Sequence, residues 1–196
     1  MTKEEFNIFW TKIYPEAIPI SYLFKQIYSD RWFRIHSLPE SKRYAESSED
    51  WNILLARQNQ IIDDLFADDE KILLVTGEYN WGEPTVFVTD EENIFLPYSF
   101  IRLDNISLAE LNSDEYDEQA VYRPAFAEIT WKKNRHNNLL KAIANGEVLS
   151  FFVSFEKNII VAPYDGGVDF IFKDSHTKDD YKEKYKQWLS GREDGL

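Results

Sequence analysis

Between Asp30 and Phe66 the chain gathers Arg31, Arg34, Lys42, Arg43 and Arg57 with His36, in a protein whose formal net charge is −13. A guanidinium is a planar fork that donates two parallel hydrogen bonds to a carboxylate or phosphate. An imidazole moves a proton near neutral pH. Arg34, His36, Arg43 and Arg57 therefore form a candidate anion site, suited to an enzyme or ligand-binding domain for a phosphorylated or carboxylated small molecule, with His36 as acid or base. The same residues admit a structural reading as an internal ion-pair network. Asp30, Glu40, Glu46, Glu49 and Asp50 lie in the same stretch.

A second constellation has the opposite sign. Asp114, Glu115, Asp117 and Glu118 surround Tyr116. Such a run can imitate phosphate for a basic protein partner, with Tyr116 as the anchoring ring, or it can be a solvated face. Asp114, Glu115, Tyr116, Asp117 and Glu118 are the candidate partner contacts. His136 and His176 stand apart from any metal-ligand spacing and are expected at the surface. Tyr164-Asp165-Gly166-Gly167-Val168-Asp169 has no phosphate-loop lysine and no calcium-loop oxygen spacing, so it reads as a tight hairpin. No nucleophile-elbow or kinase signature occurs. The expectation is no cofactor, no metal and no catalytic residue.

Composition narrows the classes further. The chain has 196 residues and no cysteine, which excludes disulfides, thiolate zinc sites and cysteine nucleophiles. Its start, Met-Thr-Lys-Glu-Glu-Phe, lacks the basic-then-apolar order of a signal peptide. No apolar run approaches the roughly 20 residues of a membrane span. Thirty-five acidic against twenty-two basic side chains repel nucleic acid and anionic lipid and hasten encounter with a basic partner. A cytoplasmic protein that binds neither nucleic acid nor membrane is expected.

The elements that must position these residues follow from periodicity. Thr2 and Glu5 form a capping box for a helix with Phe6, Phe9, Trp10 and Ile13 on one face. Residues 31–36 alternate, Phe33 and Ile35 against Trp32, Arg34 and His36, as a strand does. Trp51, Leu54, Leu55, Gln58, Ile61, Ile62 and Leu65 mark the buried stripe of a helix capped by Ser47 or Ser48. Lys71–Thr76 is a short apolar strand covered on both sides, followed by a loop over Gly77–Glu83. Pro84–Thr89 and Ile94–Leu103 read as strands joined through Asp90–Asn93. Residues 104–119 read as a mobile loop or linker, and strand resumes over Val121–Lys132. Asn134 is the expected cap of a helix closed by Asn145-Gly146. Three strands, Glu147–Phe155, Ile159–Tyr164 and Val168–Lys173, form a meander. Thr177 is the expected cap of a last helix with Tyr181, Tyr185, Trp188 and Leu189 inward. The order predicts one α+β domain over residues 1–196, a mostly antiparallel sheet with helices packed on one face and a helical portion over about residues 1–30.

Arg34-Ile35-His36-Ser37-Leu38-Pro39, Ser41-Lys42-Arg43-Tyr44, Trp51, Arg57-Gln58-Asn59 and Pro163-Tyr164-Asp165-Gly166-Gly167 together resemble an uncharacterised bacterial domain family that spans most of a chain of this size. The resemblance implies no activity. In size, acidity and aromatic content the chain is also similar to immunity proteins, which block a toxin domain by binding it; this analogy carries over no site residues. The expected function is a non-catalytic binding protein, an immunity-type inhibitor that occludes the active cleft of a basic toxin domain.

Overall fold

The computed structural model describes residues 1–81 and 94–190. The strand expected over residues 84–89 and its turn at 90–93 lie outside them. Among the described residues, five α-helices and eight strands follow in this order: α1 (Lys3–Ile13), α2 (Phe24–Ile27), β1 (Trp32–His36), α3 (Ser48–Leu65), β2 (Lys71–Asn80), β3 (Ile101–Arg102), β4 (Ile106–Ser107), β5 (Val121–Thr130), α4 (Asn137–Ala144), β6 (Ser150–Ser154), β7 (Ile159–Pro163), β8 (Gly167–Ile171) and α5 (Ser175–Lys184). The strands form one antiparallel sheet, in the order β1-β8-β7-β6-β2-β5-β3, with β4 also on β5. The fold is α+β.

Period-two alternation sorts the sheet's side chains into two cores. Phe33, Ile35, Ile72, Leu74, Phe152, Val161, Val168 and Phe170 point to one face, where Ile61, Ile62 and Leu65 of α3 and Leu139, Leu140 and Ile143 of α4 close over them. Tyr181 and Tyr185 of the C-terminal helical segment join this core. Leu73, Val75, Phe126, Phe151, Val153, Ile160 and Ile171 point to the other face, against Phe6, Trp10 and Tyr14 from α1 and its end, and Phe24 and Tyr28 around α2. The expected cover on one face is thus α3, α4 and α5, and the N-terminal helical portion adds cover to the second. That explains why β2, β6 and β7 are apolar without alternation: both faces are dry. Each fully buried large apolar side chain contributes roughly 1.5–3 kcal/mol.

Several boundaries move for local reasons. β2 runs through Gly77 to Asn80, because the Tyr122 ring of β5 lies across Gly77, where any Cβ would collide with it. From Ile94 to Leu103 the strand shrinks to β3, since Leu96 and Pro97 form a turn closed by Tyr98 N–H to the Phe95 carbonyl (2.9 Å). Residues 104–119 are anchored rather than a linker: β4 pairs with Tyr122 and Val121, and Leu108 N–H bonds the Ala120 carbonyl with both residues buried. Asn134 turns the chain at φ +66° and donates its N–H to Asn59, leaving His136 as the α4 N-cap. Asp174, three residues before Thr177, caps α5 through the Thr177 N–H at 2.7 Å. Gly146, at φ +72°, follows α4 in the expected left-handed conformation. No described helix is long and apolar enough to cross a membrane.

Candidate functional site

The residues of the cation island meet at one end of the β1–β8 ladder, where the end of β1 is held by the 163–167 turn and by α3. Arg34 stands opposite Asp169 in register, and its fork grips both carboxylate oxygens, Nε to Oδ1 at 2.6 Å and Nη2 to Oδ2 at 2.8 Å. The guanidinium also lies over the rings of Tyr164 (4.4 Å) and Trp32 (5.6 Å). Both partners are mostly buried, at 14% and 12% side-chain exposure. Burial pushes the Tyr164 hydroxyl's pKa upward, so the phenol stays neutral beside the pair.

Backbone clamps the same place. Ser37 donates its N–H to the Gly166 carbonyl (3.2 Å), and Tyr164 donates to the Gly167 carbonyl (2.9 Å). Gly167 faces His36 across the ladder so closely that a Cβ there would collide with the Ile35 carbonyl. From α3, Arg57 Nη1 donates to the His36 carbonyl (3.1 Å) and lies over the Trp188 ring (5.4 Å), while Gln58 Nε2 donates to Ser37 Oγ (2.9 Å). Burial, then the charges of Arg34 and Arg57, hold the His36 pKa below its ordinary value, so the imidazole is neutral near pH 7.

The outer cations are paired too. Arg43 donates through Nε and Nη2 to Asp165 Oδ2 at 2.9 and 2.8 Å. Lys42 bridges Asp50 (2.8 Å) and Glu46 (3.0 Å) at the start of α3, where Asp50 also takes the Glu46 and Ser47 N–H groups. Arg31 lies over the Tyr28 ring at 4.2 Å and donates to the Phe172 carbonyl. The structure therefore brings Arg34, His36, Arg43 and Arg57 to one end of the ladder and gives each arginine an internal acceptor. Arg34 borders a cavity of about 300 Å³ that also touches Tyr22, Lys25, Tyr164, Asp165 and Asp169. Asp165 and Asp169 were missed as its acidic partners. Each sits more than 120 residues from the arginine it pairs with, and the only available signal was their place in a turn that reads as a hairpin.

The acidic run is arranged differently. Asp114, Glu115, Asp117 and Glu118 are exposed, and none forms an ion pair among the described residues. Tyr116 is half-buried beneath them, packed with Ile20, Leu108 and Tyr122. The Tyr22 hydroxyl lies near those of both Tyr79 and Tyr116. Trp81, 62% exposed, stacks on Tyr79 at 5.9 Å. With Asp117, Glu118, Gln119 and Ala120, Trp81 lines a surface hollow of about 380 Å³. Sequence reading missed Trp81. Nothing in its neighbours distinguishes an exposed tryptophan from a buried one.

His136, expected at the surface, is buried at 4% exposure. It lies between Trp131 (5.5 Å) and Tyr98 (5.9 Å), rings that three separate segments bring together. His176 is exposed.

A family described as Domain of unknown function (DUF3885) matches residues 20–193. That span includes the motif residues of the β1–β8 clamp and the acidic run, and leaves out all of α1. No curated protein and no solved structure matches the chain.

Proposed function

We propose, for a chain that belongs to the DUF3885 family, a non-catalytic role: it binds a basic protein partner through the acidic, ring-bearing face around Tyr116 and Trp81. In its most specific form the proposal is an immunity-type inhibitor, which occludes the active cleft of a basic toxin domain. One contrast carries the reading. Arg34, Arg43 and Lys42 are matched to carboxylates within the fold, whereas Asp114, Glu115, Asp117 and Glu118 are exposed and have no cationic partner among the described residues. A net charge of −13 steers a cationic partner toward the molecule. Trp81 and Tyr116 then supply the rigid rings on which binding energy concentrates.

The test compares the wild type with a Trp81→Ala/Asp117→Lys/Glu118→Lys variant as bait in the organism of origin. Recovered proteins are then purified and titrated at low and high salt. The expected result is a basic partner whose affinity falls with salt and is at least tenfold weaker for the variant. Equal recovery and affinity with both baits would refute the proposed face. If the partner keeps its activity when saturated with this protein, the inhibitor form of the proposal fails and the binding form stands.

The alternative, an anion site built on Arg34, His36, Arg43 and Arg57, has less support. An anion would have to displace Asp169 from Arg34 or Asp165 from Arg43. A melting-point rise with nucleotides or sugar phosphates, lost in Arg43→Ala, would move the conclusion there.

A further inference from the structure

A cavity of about 600 Å³ opens between the Leu96–Pro97 turn, the end of β5 and the start of α4, away from both constellations described above. Its size is that of a small-molecule site. Leu96, Ile129 and Leu139 give it an apolar wall, and Tyr98, Arg135 and His136 a polar one.

Arg135 is the unusual member. Its neighbours Lys132 and Lys133 are paired with Asp69 (3.0 Å) and Asp63 (3.4 Å). The Arg135 side chain has no hydrogen bond or ion pair among the described residues, although its backbone N–H bonds Lys132. Glu128 also lines the cavity, but its Oε2 accepts from the Met1 amino group at 2.6 Å.

The polar wall is ordered in a definite protonation state. His136 Nε2 lies 3.3 Å from the Thr130 carbonyl, and Nδ1 lies 3.0 Å from the Tyr98 hydroxyl. A carbonyl only accepts, so Nε2 carries the hydrogen and Nδ1 accepts from the Tyr98 O–H. Burial holds the His136 pKa below its ordinary value, and the Arg135 charge acts in the same direction. Among the described residues that line the cavity, the only unneutralised charge is therefore positive.

We infer that this cleft binds a small organic carboxylate, its anionic head on the Arg135 fork and its apolar body against Leu96, Ile129 and Leu139. The fork donates two parallel hydrogen bonds to such a head, and the Asn138 amide on the same wall offers a further donor. A ligand of this kind has both halves of its chemistry matched. A neutral analogue matches only the apolar half. The inference does not use the acidic face, so either proposal can fail alone.

The experiment titrates benzoate into full-length protein and follows the side-chain resonances of the three histidines, assigned by His36→Gln and His176→Gln variants. Benzamide serves as the neutral control. The expected result is a saturable shift of the His136 signals with benzoate, with a dissociation constant of about 1 mM or tighter. Benzamide and the Arg135→Gln variant should bind at least tenfold more weakly. Arg135→Gln should fold with an unchanged melting temperature, because the side chain it loses holds no hydrogen-bond or ion-pair partner among the described residues. Absence of a saturable His136 shift overturns the inference, as does benzoate binding of equal strength in Arg135→Gln, or equal binding of benzamide.

Discussion

Replacing Asp169 by Asn leaves the Arg34 guanidinium charged, mostly buried and without its counter-ion. The native pair makes two short hydrogen bonds, at 2.6 and 2.8 Å, with side chains only 14% and 12% exposed. Exposed pairs contribute about 0–1 kcal/mol. Removing one partner of a buried pair costs about 3–5 kcal/mol, because an uncompensated charge remains. The low exposure places Asp169→Asn in the second regime. For a chain of this length that corresponds to a fall of roughly 6–20 °C in melting temperature, at about 2–4 °C per kcal/mol. Removing both charges, as in Arg34→Met/Asp169→Leu, should restore most of the loss, since an apolar pair of similar volume often matches a buried ion pair. Urea unfolding followed by tryptophan fluorescence on the wild type, both single variants and the double variant measures the cycle. A cost of about 1 kcal/mol or less for Asp169→Asn, or strictly additive single effects, would refute the claim that the island is an internal network. Partner binding by the acidic face should survive in every variant that folds.

The remaining predictions concern backbone, loop and pH. Gly167→Ala should destabilise the fold more than Gly146→Ala, because a Cβ at 167 meets the Ile35 carbonyl, while at 146 only the left-handed φ of +72° opposes it, costing about 1–2 kcal/mol; chemical denaturation of the two variants ranks them. Leu108→Ala should cost about 2–5 kcal/mol and speed amide exchange over residues 112–118, since Leu108 anchors the acidic loop; unchanged exchange would remove that anchor from the account. His36 and His136 both have folded pKa values below 6.5, first through burial. Their neutral forms favour folding fully above the unfolded pKa, and that stability is lost as pH falls through 6.5 toward the folded values. Unfolding free energy should therefore decline from pH 7 to pH 5, and His136→Gln should flatten the decline. The Asp50 pKa is depressed by hydrogen bonds from Lys42, then from the Glu46 and Ser47 N–H groups. Its contribution is present above the ordinary carboxylate range and lost below it, so Asp50→Asn should reduce the acid sensitivity of the α3 N-terminus, measured by amide exchange there.

Local chemistry was enough to place the elements that write their own signal. The Thr2–Glu5 capping box, the alternation of residues 32–36, the α3 stripe and the 150–171 meander each depend on contacts within a few residues or on a strict period. The identity of the cation island was legible in the same way, and the existence of the acidic run needed only counting.

Tertiary structure alone decided what those charges meet. Arg34 and Asp169 are 135 positions apart, and Arg43 and Asp165 are 122 apart. The first pairing is a property of the β1–β8 register and the second of the segments that flank that ladder, and no local pattern encodes either. The closer acids, Glu46 and Asp50, pair instead with Lys42. The same holds for burial: His136 is enclosed because the 94–99 turn, β5 and α4 converge on it, and Trp81 is exposed because β2 ends there. Sequence fixes the sign and kind of each side chain. Only the folded chain, by bringing distant segments within hydrogen-bonding reach, determines whether a charge is answered inside the protein or left to face another molecule.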